Sequence, residues 1–134
     1  MIVLLDTDVL IDVALNRDPH FNDSAAILDL IESGFPKAFI AWHSIANFYY
    51  ITGEQNKNKN SIEFIRELLQ FVDVAPTTTK DALSATTLSF NDFEDALQVA
   101  AAQSCKAQYI ITRNLKHFKS SPVQAITPSA FLKL

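Results

Sequence analysis

Five short apolar runs, Ile2–Leu5, Ala38–Ala41, Phe71–Ala75, Tyr109–Ile111 and Val123–Ile126, punctuate the chain, and the first and fourth are nearly uninterrupted by polar residues. A strand with one face in water alternates apolar and polar positions, whereas an unbroken run suits a parallel sheet covered on both faces. Helical patterns lie between the runs. The clearest is Ser24–Ser33, where Ile27, Leu30 and Ile31 make one stripe and Gly34 follows as a stop. Ser61 similarly opens a helix with Ile62, Ile65 and Leu69 facing inward, and Gly53–Asn60 before it has no apolar residue and reads as an exposed loop. Alternation of strand and helix predicts a three-layer α/β/α domain with a central, mainly parallel sheet of about five strands. With 134 residues and neither repeat nor linker, residues 1–134 are expected to form one domain.

Composition narrows the function classes. The apolar fraction of 49% supplies a continuous core, and a charged fraction of 19% is too low for a disordered tail. Gly34 and Gly53 are the only glycines, so no Gly-rich loop can cradle nucleotide phosphates. Cys105 is alone, which excludes an intrachain disulfide and a cysteine zinc cluster and fits a reducing compartment such as the cytoplasm. Met1–Leu5 precedes Asp6 and is too short for a signal peptide or a membrane span, so no membrane association is expected. Charge is unevenly distributed. The first 95 positions hold all 15 acids and six bases, a net −9, and residues 96–134 hold five bases and no acid, a net +5. An acidic half and a basic tail are suited to face one another across a site that takes cations and anions together.

In open parallel sheets, ligands gather outside the carboxyl ends of the strands. Asp6-Thr7-Asp8 follows the first run and Thr112-Arg113-Asn114 the fourth. Asp6 is thereby set at the sheet's rim, partly desolvated and in need of a cation or several donors; it comes too early to cap the helix that runs from Val9 to Leu15. For Asp8 an N-cap role competes on even terms with a functional one, and Asp12, one turn on, reads as a solvated helix residue. Asn91–Ala102 forms a strong helical segment with Asp92, Glu94 and Asp95 in its first turn. At ~100° per residue Asp92 and Asp95 share a face, about 60° apart, and Glu94 points away. Ala96, Val99 and Ala102 continue that face, which implies packing. Acids in a first turn also stabilise any helix, so capping is the ordinary reading of the same residues. Carboxylates without Cys or clustered His are the donors that Mg²⁺ or Mn²⁺ prefers, and His20, His43 and His117 make no zinc-type pair. Thr112-Arg-Asn-Leu-Lys-His-Phe-Lys119 places three cations after a buried strand. Beside the acids, Thr112 and Asn114 would offer oxygens to a metal's water shell and Arg113, Lys116 and Lys119 would hold phosphates; the ordinary reading is a solvated turn.

Four segments in order, Leu4-Leu-Asp-Thr-Asp-Val-Leu-Ile-Asp12, Asp92-Phe-Glu-Asp-Ala-Leu-Gln98, Ile110-Ile-Thr-Arg-Asn-Leu-Lys-His-Phe118 and Thr127-Pro-Ser-Ala-Phe-Leu132, resemble the PIN domain family over essentially the whole chain. The resemblance implies a small α/β/α fold and an Mg²⁺- or Mn²⁺-dependent endoribonuclease, with many compact members serving as the toxin of a toxin–antitoxin pair. It makes Asp6 the first metal-binding acid and Asp95 the third, with Asp92 close by, and sets Asn114 where a fourth ligand is expected. The second acid, generally a Glu in the helix after the second strand, falls within His43–Tyr50, where the aligned residue is Asn47. RNA is the implied substrate. An antitoxin protein is an expected partner, and Phe48, Tyr49 and Tyr50 either line a surface for a second copy of the chain or pack in the core.

Two alternatives stay open on sequence grounds. A PIN-like domain with a weakened site, binding RNA or protein without cutting, is favoured by the neutral Asn47. A haloacid-dehalogenase-type phosphotransfer enzyme matches Asp6-Thr7-Asp8-Val9, but that family needs an acidic pair downstream and the chain has no acid after Asp95.

Overall fold

The computed structural model describes the chain apart from the side chains of residues 54–59. Five strands, β1 (Ile2–Leu5), β2 (Lys37–Ile40), β3 (Asp73–Val74), β4 (Tyr109–Ile111) and β5 (Gln124–Ile126), form one parallel sheet in the order β3-β2-β1-β4-β5. β1 and β4 coincide with their apolar runs. β3 keeps only two residues of the Phe71–Ala75 run, since Phe71 and Val72 complete the approach from the preceding helix and Ala75 only extends the ladder through its N–H to Ile40 O.

Six helices cover the sheet: α1 (Thr7–Ala14), α2 (Phe21–Glu32), α3 (Trp42–Leu68), α4 (Thr79–Ala85), α5 (Phe93–Ser104) and α6 (Pro128–Phe131). Successive strand residues point to opposite faces. Val3, Leu5 and Ile111 accordingly pack with Val9, Ile27, Phe48 and Phe131 on one side, and Leu4 and Ile110 pack with Val99, Ala101 and Ala102 of α5 on the other. The result is the expected three-layer α/β/α arrangement. Among the described residues no helix is long and apolar enough to cross a membrane.

Several helix faces differ from the sequence reading. α2 is stopped by Gly34, whose φ of +118° is a conformation open to a residue without Cβ. Its buried stripe is Ser24, Ile27, Leu28 and Ile31, and Leu30 is turned outward. Ser61 does not open a helix. It lies buried within α3, its hydroxyl 2.7 Å from that of Thr52, and Phe48 stacks on Phe64 with ring centroids 4.9 Å apart. A straight helix would separate positions 48 and 64 by about 24 Å. Residues 42–53 and 60–68 therefore lie side by side, and it is Phe64, Ile65 and Leu68 that meet the core, with Ile62 and Leu69 exposed. Most of the expected loop at 53–60 falls on positions 54–59, outside the described side chains.

Connections leave β1 in one direction toward β2 and β3 and return beside it as β4 and β5. The strand order thus reverses between β1 and β4, the kind of switch point where a crevice opens at the carboxyl ends of the strands.

Candidate active site

Asp6 and Thr112 are the first residues beyond β1 and β4, on either side of this switch point. The Asp6 N–H donates to Ile111 O at 3.0 Å and that of Thr112 to Ile126 O at 3.0 Å, so each main chain is held by an extension of the sheet ladder. Both side chains are buried. Asp6 turns out to be the N-cap of α1 after all: its Oδ1 accepts from the Thr7 N–H at 2.8 Å, and its Oδ2 from the Thr112 hydroxyl at 2.8 Å. Two neutral donors do not offset its burial. Desolvation first, and then the charges of Asp8 and Glu94, hold the Asp6 carboxyl well above its ordinary pKa.

Asp8 is not a cap. One oxygen, Oδ2, gathers the Arg113 N–H (3.2 Å), the Asn114 amide (2.9 Å) and the Thr112 hydroxyl (3.2 Å), tying α1 to the segment after β4. Thr112 has one hydroxyl proton, and the shorter distance favours Asp6 as its acceptor. Asp8 Oδ1 is buried with no hydrogen-bond partner, and burial raises the Asp8 pKa. Asp12 is fully buried and not solvated: Arg113 grips it with Nε–Oδ2 at 2.7 Å and Nη2–Oδ1 at 3.3 Å. The Arg113 guanidinium is thereby engaged by Asp12, with the charges of Asp8 and Asp6 acting on it as well, and Thr112, fully buried, presents no surface to a large ligand.

The opposite wall is the first turn of α5. Asp92 is exposed and caps the helix, its Oδ1 accepting from the Glu94 N–H at 2.9 Å. Asp92 therefore stands before the first helical residue, and the arithmetic of 100° per residue does not apply to it. Ala96, Val99 and Ala102 are buried as expected, and these small side chains bring α5 close to the sheet. Asp95, 7% exposed, has its pKa raised to about 6, by burial first and then by Glu94, against the favourable effect of His117 at 3.5 Å.

Glu94, assigned away from the shared face by the helical wheel, faces the cluster. Its Oε2 lies 2.6 Å from His43 Nε2 and 3.0 Å from Gln98 Nε2. Gln98 is fully buried and donates further to Ser44 Oγ at 2.9 Å and Thr7 Oγ1 at 3.3 Å. His43 and Ser44, at the start of α3, are thus the α3 side chains hydrogen-bonded into the group. Asn47, one turn later, is half-buried and makes no side-chain hydrogen bond among the described residues. The sequence signal for Glu94 is Gln98, a polar residue four positions on within an alanine-rich helix.

On the outer side, a cleft of about 500 Å³ runs from Asp92 and Asp95 to Lys116, His117 and Lys119, the last three on the short 3₁₀ turn Leu115–Phe118 and just after it. The acidic and basic parts of the sequence meet here. Side chains with oxygens to offer a cation are Asp6, Asp8, Glu94 and Asp95. Asn114 adjoins Asp8 and half-exposes its amide.

A family model described as a PIN domain matches residues 2–116. Among solved structures the chain is similar to VapBC2 from Rickettsia felis bound to a DNA fragment from the promoter, with a TM-score of 0.71 and 18% identity over 95% of this chain and 98% of that one. It is similar to a toxin–antitoxin complex from Klebsiella pneumoniae, with a TM-score of 0.69 and 22% identity over 94% and 97%. A third similarity is to VapC20 of Mycobacterium tuberculosis, described as a sarcin-ricin loop cleaving toxin, with a TM-score of 0.64 and 14% identity over 81% and 86%. At these identities the likeness is one of fold. No curated protein matches the sequence.

Proposed function

Because the chain belongs to the PIN domain family, we propose that it is a metal-dependent endoribonuclease that hydrolyses RNA phosphodiester bonds and acts as the toxin of a toxin–antitoxin pair. The observation that carries this reading is the juxtaposition of buried acids, Asp6 and Asp95, each facing the charge of Glu94, with a cleft beside Asp95 whose far side is Lys116 and Lys119. Repelling carboxylates are relieved by a cation, and a basic rim attracts a polyanion. Similarity to a toxin–antitoxin complex and to a sarcin-ricin loop cleaving toxin supports the same reading, with an antitoxin protein as partner, and the single free Cys105 suits the cytoplasm as its place of action.

The donor set suits Mg²⁺ or Mn²⁺. It is all oxygen, and Asp8 Oδ1 is a buried acceptor without a donor. Among the described residues no three His, Cys, Asp or Glu side chains form a ready shell for an ion. Mg²⁺ is commonly held by one or two carboxylates and keeps several waters. Asp6 and Asp95 would hold the ion, with Asp92 and Asn114 as further oxygen donors. A bound ion would supply an activated water and charge neutralisation at the phosphate. Thr7 and Thr112 fix the Asp6 carboxylate in place. Lys116 and Lys119 hold neighbouring phosphates of the strand, a role that Arg113, bound to Asp12, leaves to them.

Cleavage of RNA by the purified protein with Mn²⁺, and its absence with chelator, tests the proposal. RNA that is bound and never cut under either condition would instead identify a PIN-like binding domain.

A further inference from the structure

We propose that Glu94 provides the second acidic charge of the site, in place of the neutral Asn47 of α3, and that His43 and Gln98 position it. The inference rests on the cation-dependent reading above. Among the described residues α3 contributes to the cluster His43 and Ser44, neither of them anionic donors, and Asn47 is neutral. The acid that His43 of α3 holds, at 2.6 Å, is Glu94 of α5.

Glu94 has an alternative it does not take. Its side chain is 33% exposed, so a rotation toward water is open to it. Two donors hold it inward instead, His43 at 2.6 Å and Gln98 at 3.0 Å, both on the same oxygen. Gln98 is itself immobilised. It is fully buried, it bonds Ser44 and Thr7, and Thr7 in turn gives its N–H to Asp6. Three hydrogen bonds thus link Glu94 to Asp6, from α5 through the floor of the crevice to the end of β1. A buried glutamine whose two amide protons are shared among three acceptors, with its own Oε1 unpaired, is an arrangement that fixes a carboxylate and does little else for packing.

Mn²⁺ titration of the full chain, read by calorimetry and by the metal-induced rise in Tm, tests this in four variants. Glu94→Gln is expected to weaken Mn²⁺ binding about tenfold or more, and Asp6→Asn at least as much. His43→Ala is expected to weaken it several-fold in the wild-type background and not further in Glu94→Gln, because it acts through Glu94. Loss in Asp6→Asn with wild-type affinity in Glu94→Gln would overturn the proposal and leave the site standing. Unchanged affinity in both would overturn the site itself. Equal loss from His43→Ala in both backgrounds would overturn its positioning role.

Discussion

Asp6 and Asp12 lie on or next to the same short helix, and both are buried, yet they are treated in opposite ways. Asp12 receives a bidentate guanidinium from Arg113, 101 positions away, and its charge is neutralised where it lies. Asp6, 6% exposed, receives one backbone N–H and one hydroxyl, and faces Asp8 and Glu94 besides. The first arrangement is a strut that fastens α1 to the segment after β4. The second holds an electrostatic cost that folding alone does not relieve. Both use the same polar segment after β4, Thr112 for one and Arg113 for the other. The difference separates an acid kept for structure from one kept for a cation, a distinction that burial by itself does not make.

Breaking the strut should have the largest effect. Arg113→Ala leaves Asp12 buried and unpaired and is expected to cost about 3–5 kcal/mol in urea denaturation. Asp12→Asn should cost less, because the Arg113 side chain is 29% exposed and can regain water. A loss below about 1 kcal/mol in Arg113→Ala would remove the contrast with Asp6. At the crevice the sign reverses. With a folded pKa of about 6 against an ordinary value of 3.8, Asp95 binds its proton more tightly in the folded state, so stability falls as pH rises from 3.8 to 6. Asp95→Asn should therefore match the wild type near about pH 3.5 and melt higher at about pH 8, by on the order of 5 °C. Parallel Tm profiles across that range would show that Asp95 bears no such strain.

On the basic side, Lys116→Glu and Lys119→Glu should weaken RNA binding and reduce the slope of log K against log salt by about 0.7 for each single-strand phosphate that the variant no longer neutralises. Mn²⁺ affinity should be retained. An unaltered slope would make the 3₁₀ turn a solvated surface. The smallest change is expected of Asn47→Ala, which deletes a neutral amide and should shift Mn²⁺ affinity far less than Asp6→Asn; a comparable loss would return the second ligand position to α3.

The sequence made the sheet legible because a strand covered on both faces leaves an unbroken apolar run, as Ile2–Leu5 and Tyr109–Ile111 do. It also located the rim, since Asp6 and Thr112 follow those runs directly. The partnership of Asp12 was not legible, for nothing local distinguishes a helix aspartate in water from one met by an arginine a hundred positions on. Glu94 escaped for a different reason. A helical wheel started at Asp92 misplaces it, because that residue is the cap, with extended φ and ψ of −114° and 119°, and the helix begins one residue later. Ser61 reads as a cap by residue type, and its burial against Thr52 depends on two stretches of α3 meeting side by side, which periodicity does not record.

Whether the acids around Asp6 keep an unneutralised charge for a divalent cation is read from the Tm of wild type and Asp6→Asn at neutral pH, each with and without Mn²⁺. Asp6→Asn should melt higher than wild type in chelator, because one repelling charge is gone, and Mn²⁺ should raise the wild-type Tm and leave that of the variant unchanged. A variant that melts lower than wild type in chelator and responds equally to Mn²⁺ would show that the acids keep no such charge.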